Sequence, residues 1–241
     1  MTEFHAPAAT DAAVRWWLST GENPDPADLA LLDAGERDRL SRIEHPRLAT
    51  EFIVSRAGTR RALSDLLDVD PAEIGLGRLP CPGCGDQRHG PPAVVRPPGP
   101  FRISISHSSG CFLLAVARVP VGVDVERIRA VDTDSMARVA LTAAEHLHVR
   151  NAPPGIERSR AFLRCWTRKE AVLKAIGIGL AADLTGIETH PDHPDPARVT
   201  AGIPGTPDAW AVRDLPLPTG WTATVALPHS VSIGVNSLRQ H

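Results

Sequence analysis

Apolar residues recur along this chain at two spacings, and the changes between them mark out its elements. Over residues 51–67, Phe52, Ile53, Ala57, Leu63, Leu66 and Leu67 fall at roughly helical intervals, which predicts an amphipathic helix. The Arg/Glu/Leu-rich stretch 29–48 reads as a helix ending near Pro46, so the first third of the chain reads as helices. Pro and Gly punctuate 68–100, predicting a loop with short strands. Alternation of apolar and polar residues then predicts a strand over 101–106. The almost wholly apolar run 111–119 predicts a second, and 121–126 a third, with Pro120-Val-Gly marking the joint before it. Helical spacing returns over 135–150 and 159–176, and β-like runs follow at 210–212, 221–227 and 231–235. This order is that of an α+β fold of two similar α/β halves joined near 119–121, an N-terminal half over 1–119 and a C-terminal half over 120–241. No residue-level repeat of fixed period accompanies that architecture.

Composition narrows the class. The chain has 241 residues, 42% hydrophobic and 22% charged, with a formal net charge of −2, which argues against disorder and against a global pull toward nucleic acid or anionic membrane. No run approaches the ~18 apolar residues of a membrane span. The N-terminus lacks a basic segment followed by an apolar core, so the expectation is a cytoplasmic globular protein without a secretory signal. Of 26 basic residues only Lys169 and Lys174 are lysines, the rest being arginines.

Several segments carry candidate chemistry. In V-G-V-D-V-E at 121–126, Val121, Val123 and Val125 share one face of a strand and Asp124 and Glu126 the other. Two carboxylates ~7 Å apart repel unless solvated or bridged by a cation, and hard oxygen ligands suit Mg2+; an isolated D-x-E is more often a solvated acidic face. On the helix 159–176, Phe162, Trp166, Glu170 and Lys174 advance only ~40° each and form one stripe. A surface Glu–Lys pair worth ~0.3–0.5 kcal/mol is the common form of that pattern. The lysine count weighs against it, because a surface cation here could as well be Arg, whereas a compact ammonium beside a phosphate is less replaceable.

Weaker signals surround these. I-S-I-S-H-S-S-G at 103–110 offers hydroxyl and imidazole donors to an anion, or is an ordinary strand-to-turn boundary; no G-x-S-x-G elbow supports a Ser/His hydrolase. Cys81 and Cys84, with His89 five residues on, resemble half a zinc site, but no second C-x2-C exists and reduced thiols on a loop are the simpler reading. Arg37, Arg39, Arg42, Arg47, Arg56, Arg60 and Arg61 could bind phosphate. Glu36, Asp38, Glu44 and Glu51 offset much of that charge, and the interleaved aromatics of a nucleic-acid surface are absent.

The order of the segments is more telling than any one of them. S-I-S-H-S at 104–108, G-V-D-V-E at 122–126 and W-T-R-K-E-A-V-L-K-A-I-G-I-G-L at 166–180 together resemble the Sfp-type 4′-phosphopantetheinyl transferases, which activate carrier proteins of polyketide and nonribosomal peptide synthesis. L-T-A-A-E at 141–145 resembles the family's Ser/Thr-x-x-Glu segment, and the likeness covers about residues 37–180. It implies a pseudo-twofold monomer with coenzyme A in the cleft between the halves and Mg2+ on its pyrophosphate. Asp124 and Glu170 would be metal ligands with Glu126 as a third, and Lys174 would favour departure of adenosine 3′,5′-bisphosphate. Ser106 and His107 would hold coenzyme A phosphates, His89 and Gly90 would lie on the cofactor, and Arg39 and Arg56 would be its basic contacts. The resemblance makes the partner an apo acyl or peptidyl carrier protein. Pro91 in place of a Lys, Ser104 in place of an Asn, and Thr50 and Glu51 where relatives often carry Arg depart from the family pattern without touching the metal site.

Three rivals make other expectations. A Mg2+-dependent nucleotide phosphohydrolase leaves the Trp166–Glu170–Lys174 stripe unexplained, and a catalytically silent carrier-binding module predicts a damaged acidic set, which is intact here. A zinc-containing structural protein would rest on Cys81, Cys84 and His89. For a carrier, Arg138, Arg150, Val139, Leu141 and Leu147 form the expected docking surface, suited to an acidic helix.

Overall fold

The structure, a computed structural model, describes residues 12–19, 24–179, 182–193, 195–231 and 239–240. The N-terminal segment read for a signal, Leu180 and most of the run at 231–235 lie outside these residues.

The chain opens with a strand, β1 (Ala13–Leu18), where the sequence reads as helical. It pairs antiparallel along its whole length with β5 (Cys111–Ala117), and that long-range pairing outweighs local propensity. The helix expected over 29–48 is also divided. α1 (Pro26–Ala30) is followed by α2 (Ala34–Leu40), which the capping box between Asp33 and Glu36 starts anew. Pro46 opens α3 (Pro46–Leu67) instead of closing its predecessor, because a first-turn residue needs no N–H partner.

β2 (Gly75–Arg78) and β3 (Pro92–Arg96) form a separate hairpin, followed by β4 (Arg102–Ser108), β5 and β6 (Gly122–Arg127). The single helix expected over 135–150 is two, α4 (Thr133–Ala140) and α5 (Ala143–Asn151). Thr142 and Glu145 make a capping box that restarts the chain after Leu141 leaves helical geometry. α6 (Ile156–Ile176) ends on Gly177 in the left-handed conformation. Three strands, β7 (Ala197–Val199), β8 (Trp210–Asp214) and β9 (Trp221–Pro228), precede the short β10 (Arg239–Gln240); β7 and β10 are strands without a sequence counterpart.

Two four-stranded sheets result, ordered β10-β1-β5-β4 and β6-β9-β8-β7; among the described residues only the β1–β10 pair is parallel. The apolar run of β5 is explained by burial on both sides. Phe112, Leu114 and Val116 pack with Leu63, Leu66 and Leu67 of α3, while Leu113 and Ala115 pack with Val123, Val125 and Val225 of the other sheet. A third core joins Phe162, Leu163 and Val172 of α6 to Trp210, Val212 and Ala226. The layers therefore run α3, first sheet, second sheet, then α4–α6. Among the described residues no helix is long and apolar enough to cross a membrane.

Candidate active site

β4 and β6 are the edge strands at which the two sheets adjoin, and side chains bridge them. Ser104, Ser106 and Ser108, on one side of β4, accept from the backbone N–H groups of Val123, Val125 and Arg127 at 3.0, 3.3 and 3.0 Å. The alternating serines thus stand in for a backbone ladder. The hydroxyls also face the acids: Ser106 donates to Asp124 Oδ1 at 2.8 Å and Ser108 to Glu126 Oε2 at 3.1 Å. Ser106 Oγ further accepts from Lys174 Nζ at 2.9 Å. One donor and two acceptor sites are then all taken, so the expected hydroxyl contact to a coenzyme A phosphate is not available.

Gly122 brings α6 onto this strand. A Cβ there would lie 1.8 Å from Ala171 O and 2.5 Å from Ala175 N, so only glycine permits the approach. The contact sets Glu170 and Lys174 over Asp124 and Glu126. Lys174 Nζ lies 2.5 Å from Asp124 Oδ1, so the lysine pairs across to the strand and not with Glu170 on its own helix. Asp124 is buried, not the solvated carboxylate of a plain acidic strand face. Phe162 and Trp166 stack on the same helix at 6.3 Å, as the stripe predicts.

The acids oppose one another's charge. Burial, then Asp124 and Glu126, push Glu170 up to about 7. Burial also raises Asp124, against the pull of Lys174, and burial followed by Asp124 raises Glu126. Asp124 Oδ2 and Glu170 Oε1 are buried without a hydrogen-bond partner. Each such oxygen costs about 1–3 kcal/mol unless a ligand answers it. Two orphaned oxygens from facing elements, beside a third carboxylate, suit a hard divalent cation.

Lys174 also lines a cavity of about 340 Å³ with Leu79, Pro82, Pro91, Arg102 and Val121. Next to it, His107, Arg39, Phe52, Arg56 and Arg78 line a second of about 360 Å³, and Pro92 borders both. The guanidinium groups of Arg39 and Arg56 lie 5.3 and 5.4 Å from the Phe52 ring centroid. Burial, then Arg39, lowers Arg78; burial lowers Arg56, which Arg39 and Arg78 repel and Glu36 partly compensates. Desolvation lowers His107; Glu51 opposes this, and Lys174 and Arg56 add to it. Arg39 and Arg78 have no carboxylate within salt-bridge distance among the described residues, so this cluster is poised for an anion. Sequence reasoning missed Arg78; its only signal was a basic residue beside the Pro/Gly-rich loop.

The other expected residues separate. Arg42, Arg47, Arg60 and Arg61 are paired with Asp38, Glu51, Glu36 and Asp28. Lys169 is fully buried and bound to Glu145 Oε2 and Leu184 O, both at 2.6 Å. Glu145 is thus a structural anchor, its remaining oxygen taken by Thr189. Gly90 accepts from Arg78 at 2.7 Å, and the His89 ring turns to Cys84. Leu141 is buried, so it leaves the expected docking surface, while Val139 and Leu147 are 64% and 59% exposed.

Comparison with known proteins bears on this arrangement. A model of the 4′-phosphopantetheinyl transferase superfamily matches residues 120–226. The chain is 32% identical over 196 residues to the phosphopantetheinyl transferase of Thraustochytrium sp., covering 74% of this chain and 64% of that protein. It is 29% identical over 205 residues to the 4′-phosphopantetheinyl transferase HetI of Nostoc sp., covering 82% and 79%. A 4′-phosphopantetheinyl transferase of Bacillus subtilis is 26% identical over 167 residues, 69% of each chain. The chain spans just under two thirds of the length of the Thraustochytrium protein.

Proposed function

Since residues 120–226 match the model of the 4′-phosphopantetheinyl transferase superfamily, we propose that the chain is a member of it and transfers the 4′-phosphopantetheine arm of coenzyme A to a serine hydroxyl of an apo acyl or peptidyl carrier protein, in the manner of the Sfp-type enzymes. The observation that carries this reading is the pair of orphaned oxygens, Asp124 Oδ2 and Glu170 Oε1, beside Lys174, which itself lines a cavity bordered by a basic pocket.

In this reaction the serine Oγ forms a bond to the phosphorus that carries the pantetheine arm. The bond from that phosphorus to the oxygen of adenosine 3′,5′-bisphosphate breaks. Glu170, facing the strand acids, would take the serine proton, directly or through a water it orients. Lys174 faces the cavity and would offset charge on the departing bisphosphate. Arg39, Arg56, Arg78 and His107 would hold the nucleotide phosphates, Phe52 giving the two flanking guanidinium groups a fixed platform. Asp124, Glu170 and Glu126 would hold Mg2+, which supplies charge neutralisation at the pyrophosphate. Ser106 and Ser108 keep Asp124 and Glu126 in place. The nucleophile belongs to the partner, so no serine or cysteine of this chain need be activated.

The 1–119 half would then provide the nucleotide side, and the 120–241 half the acids and the docking surface. The products are a holo carrier for polyketide or nonribosomal peptide synthesis and the bisphosphate, made by a cytoplasmic monomer. The test is the intact mass of an apo carrier incubated with the protein, coenzyme A and Mg2+. We expect a gain of one phosphopantetheine arm that EDTA, Asp124→Ala and Glu170→Gln each abolish. Coenzyme A binding without any gain across acyl and peptidyl carriers would favour a silent carrier-binding module.

A further inference from the structure

The loop joining β2 to β3 supplies no group to the transfer step proposed above, yet it is closely folded. Its base is closed by Leu79 N–H donating to Pro91 O at 2.9 Å and by Arg78 reaching Gly90 O. Inside, Cys81 N–H donates to Asp86 O at 3.1 Å and Gly85 N–H to Cys81 O at 2.8 Å, with Gly85 at φ 77°. Gly90 folds tightly onto the loop's first arm: a Cβ there would meet Leu79 O at 1.8 Å. These turns bring Cys81 Sγ, Cys84 Sγ and a His89 ring nitrogen within 4.8 Å of one another. Among the described residues, no other three His, Cys, Asp or Glu side chains converge so closely.

We propose that Cys81, Cys84 and His89 form a zinc site that staples this loop. Two thiolates and an imidazole are soft and borderline donors that select Zn2+ over the hard cation suited to the carboxylates of the active site. Cys84 Sγ and His89 Nε2 are 3.2 Å apart, and both residues are exposed, so solvent can fill the fourth tetrahedral position. The loop also has little else to hold it. From Pro82 to His89 no residue is buried, and a segment without a core of its own gains most from a staple.

Its position gives the staple a consequence. Pro82 and Pro91 sit over the C-terminal end of α6, 3.1–3.4 Å from where a Cβ of Gly177 would be, and both line the cavity that Lys174 enters. A metal at Cys81, Cys84 and His89 would therefore fix one wall of that cavity. Only this consequence rests on the transferase reading; the binding of the metal does not.

The test is zinc content and thermal stability of the full chain, reduced and gel-filtered, before and after addition of equimolar zinc sulfate. We expect about one zinc per chain, a rise in Tm on zinc addition, and loss of both in Cys81→Ser and Cys84→Ser. His89→Asn should bind more weakly. Cobalt in place of zinc should give the near-ultraviolet thiolate charge-transfer band in the unsubstituted protein. Absence of zinc, of the Tm rise and of the cobalt band in the unsubstituted protein would overturn the proposal, whatever the variants do. So would a Cys81–Cys84 disulfide persisting through reduction, or equal zinc in Cys84→Ser. Zinc retained by a protein that modifies no carrier would leave the site standing and count against the transferase reading alone.

Discussion

At Glu170, burial and two neighbouring carboxylates hold a proton that an exposed glutamate would release near 4.5. The folded-state value, about 7, lies above the unfolded one, so the group favours the fold while protonated. That contribution is complete below about 4.5 and is lost as pH rises through about 7. Glu170→Gln should accordingly leave Tm nearly unchanged at pH 5 and raise it at pH 8, where the gain in unfolding free energy is about 1–2 kcal/mol after solvent screening. Thermal melts of both proteins across that range check this, and equal melting at pH 8 would contradict it. Added Mg2+ should raise the Tm of the unsubstituted protein at pH 8 more than that of the variant. In the basic pocket, Arg39→Ala and Arg78→Ala should each weaken coenzyme A binding about tenfold, measured by calorimetry, because each removes a charge-assisted contact. The sequence singled out Arg39 but not Arg78, since a motif shows residue type and order, whereas Arg78 reaches the pocket only through the β2–β3 hairpin.

Among the elements, the contact between β6 and α6 shapes the site. Gly122→Ala should lower stability by about 3 kcal/mol or more, because Ala171 O is a backbone atom that cannot swing away. Denaturant unfolding reads this directly. Ser104→Ala removes one bridge, from Val123 N–H, and should cost about 1–2 kcal/mol while leaving Asp124 in place. Ser106→Ala should lower activity as well, since that hydroxyl also orients Asp124 and Lys174. A Ser106 variant with unchanged kcat would exclude the positioning role. Alternation in I-S-I-S-H-S told which residues share a side of β4 but not that β6 would meet that side, so the serines read as anion donors. The same limit applies to L-T-A-A-E at 141–145. Its capping box was written in the sequence, and its buried partner Lys169 was not.

For the whole molecule, α4 and α5 lie on the outer layer, with Arg138, Val139, Leu147 and Arg150 exposed. If an acidic carrier helix docks there, Arg138→Glu with Arg150→Glu should raise the KM for carrier several-fold and leave coenzyme A affinity unchanged. An unchanged KM would remove the surface from consideration. The apolar run of β5, the two faces of β6 and the stripe on α6 were legible in the chain's residue order, because each is a local periodicity. That residue order also held the motifs that resemble those of the 4′-phosphopantetheinyl transferases. That β1 is a strand, that the serines of β4 bridge to β6, and that Lys174 reaches Asp124 while Lys169 does not were settled by long-range packing. Those outcomes depend on which distant segment arrives alongside. A lysine's pattern on its helix is local, but its partner is chosen by the packing of α6 on a strand some fifty residues away, where a glycine leaves room for it.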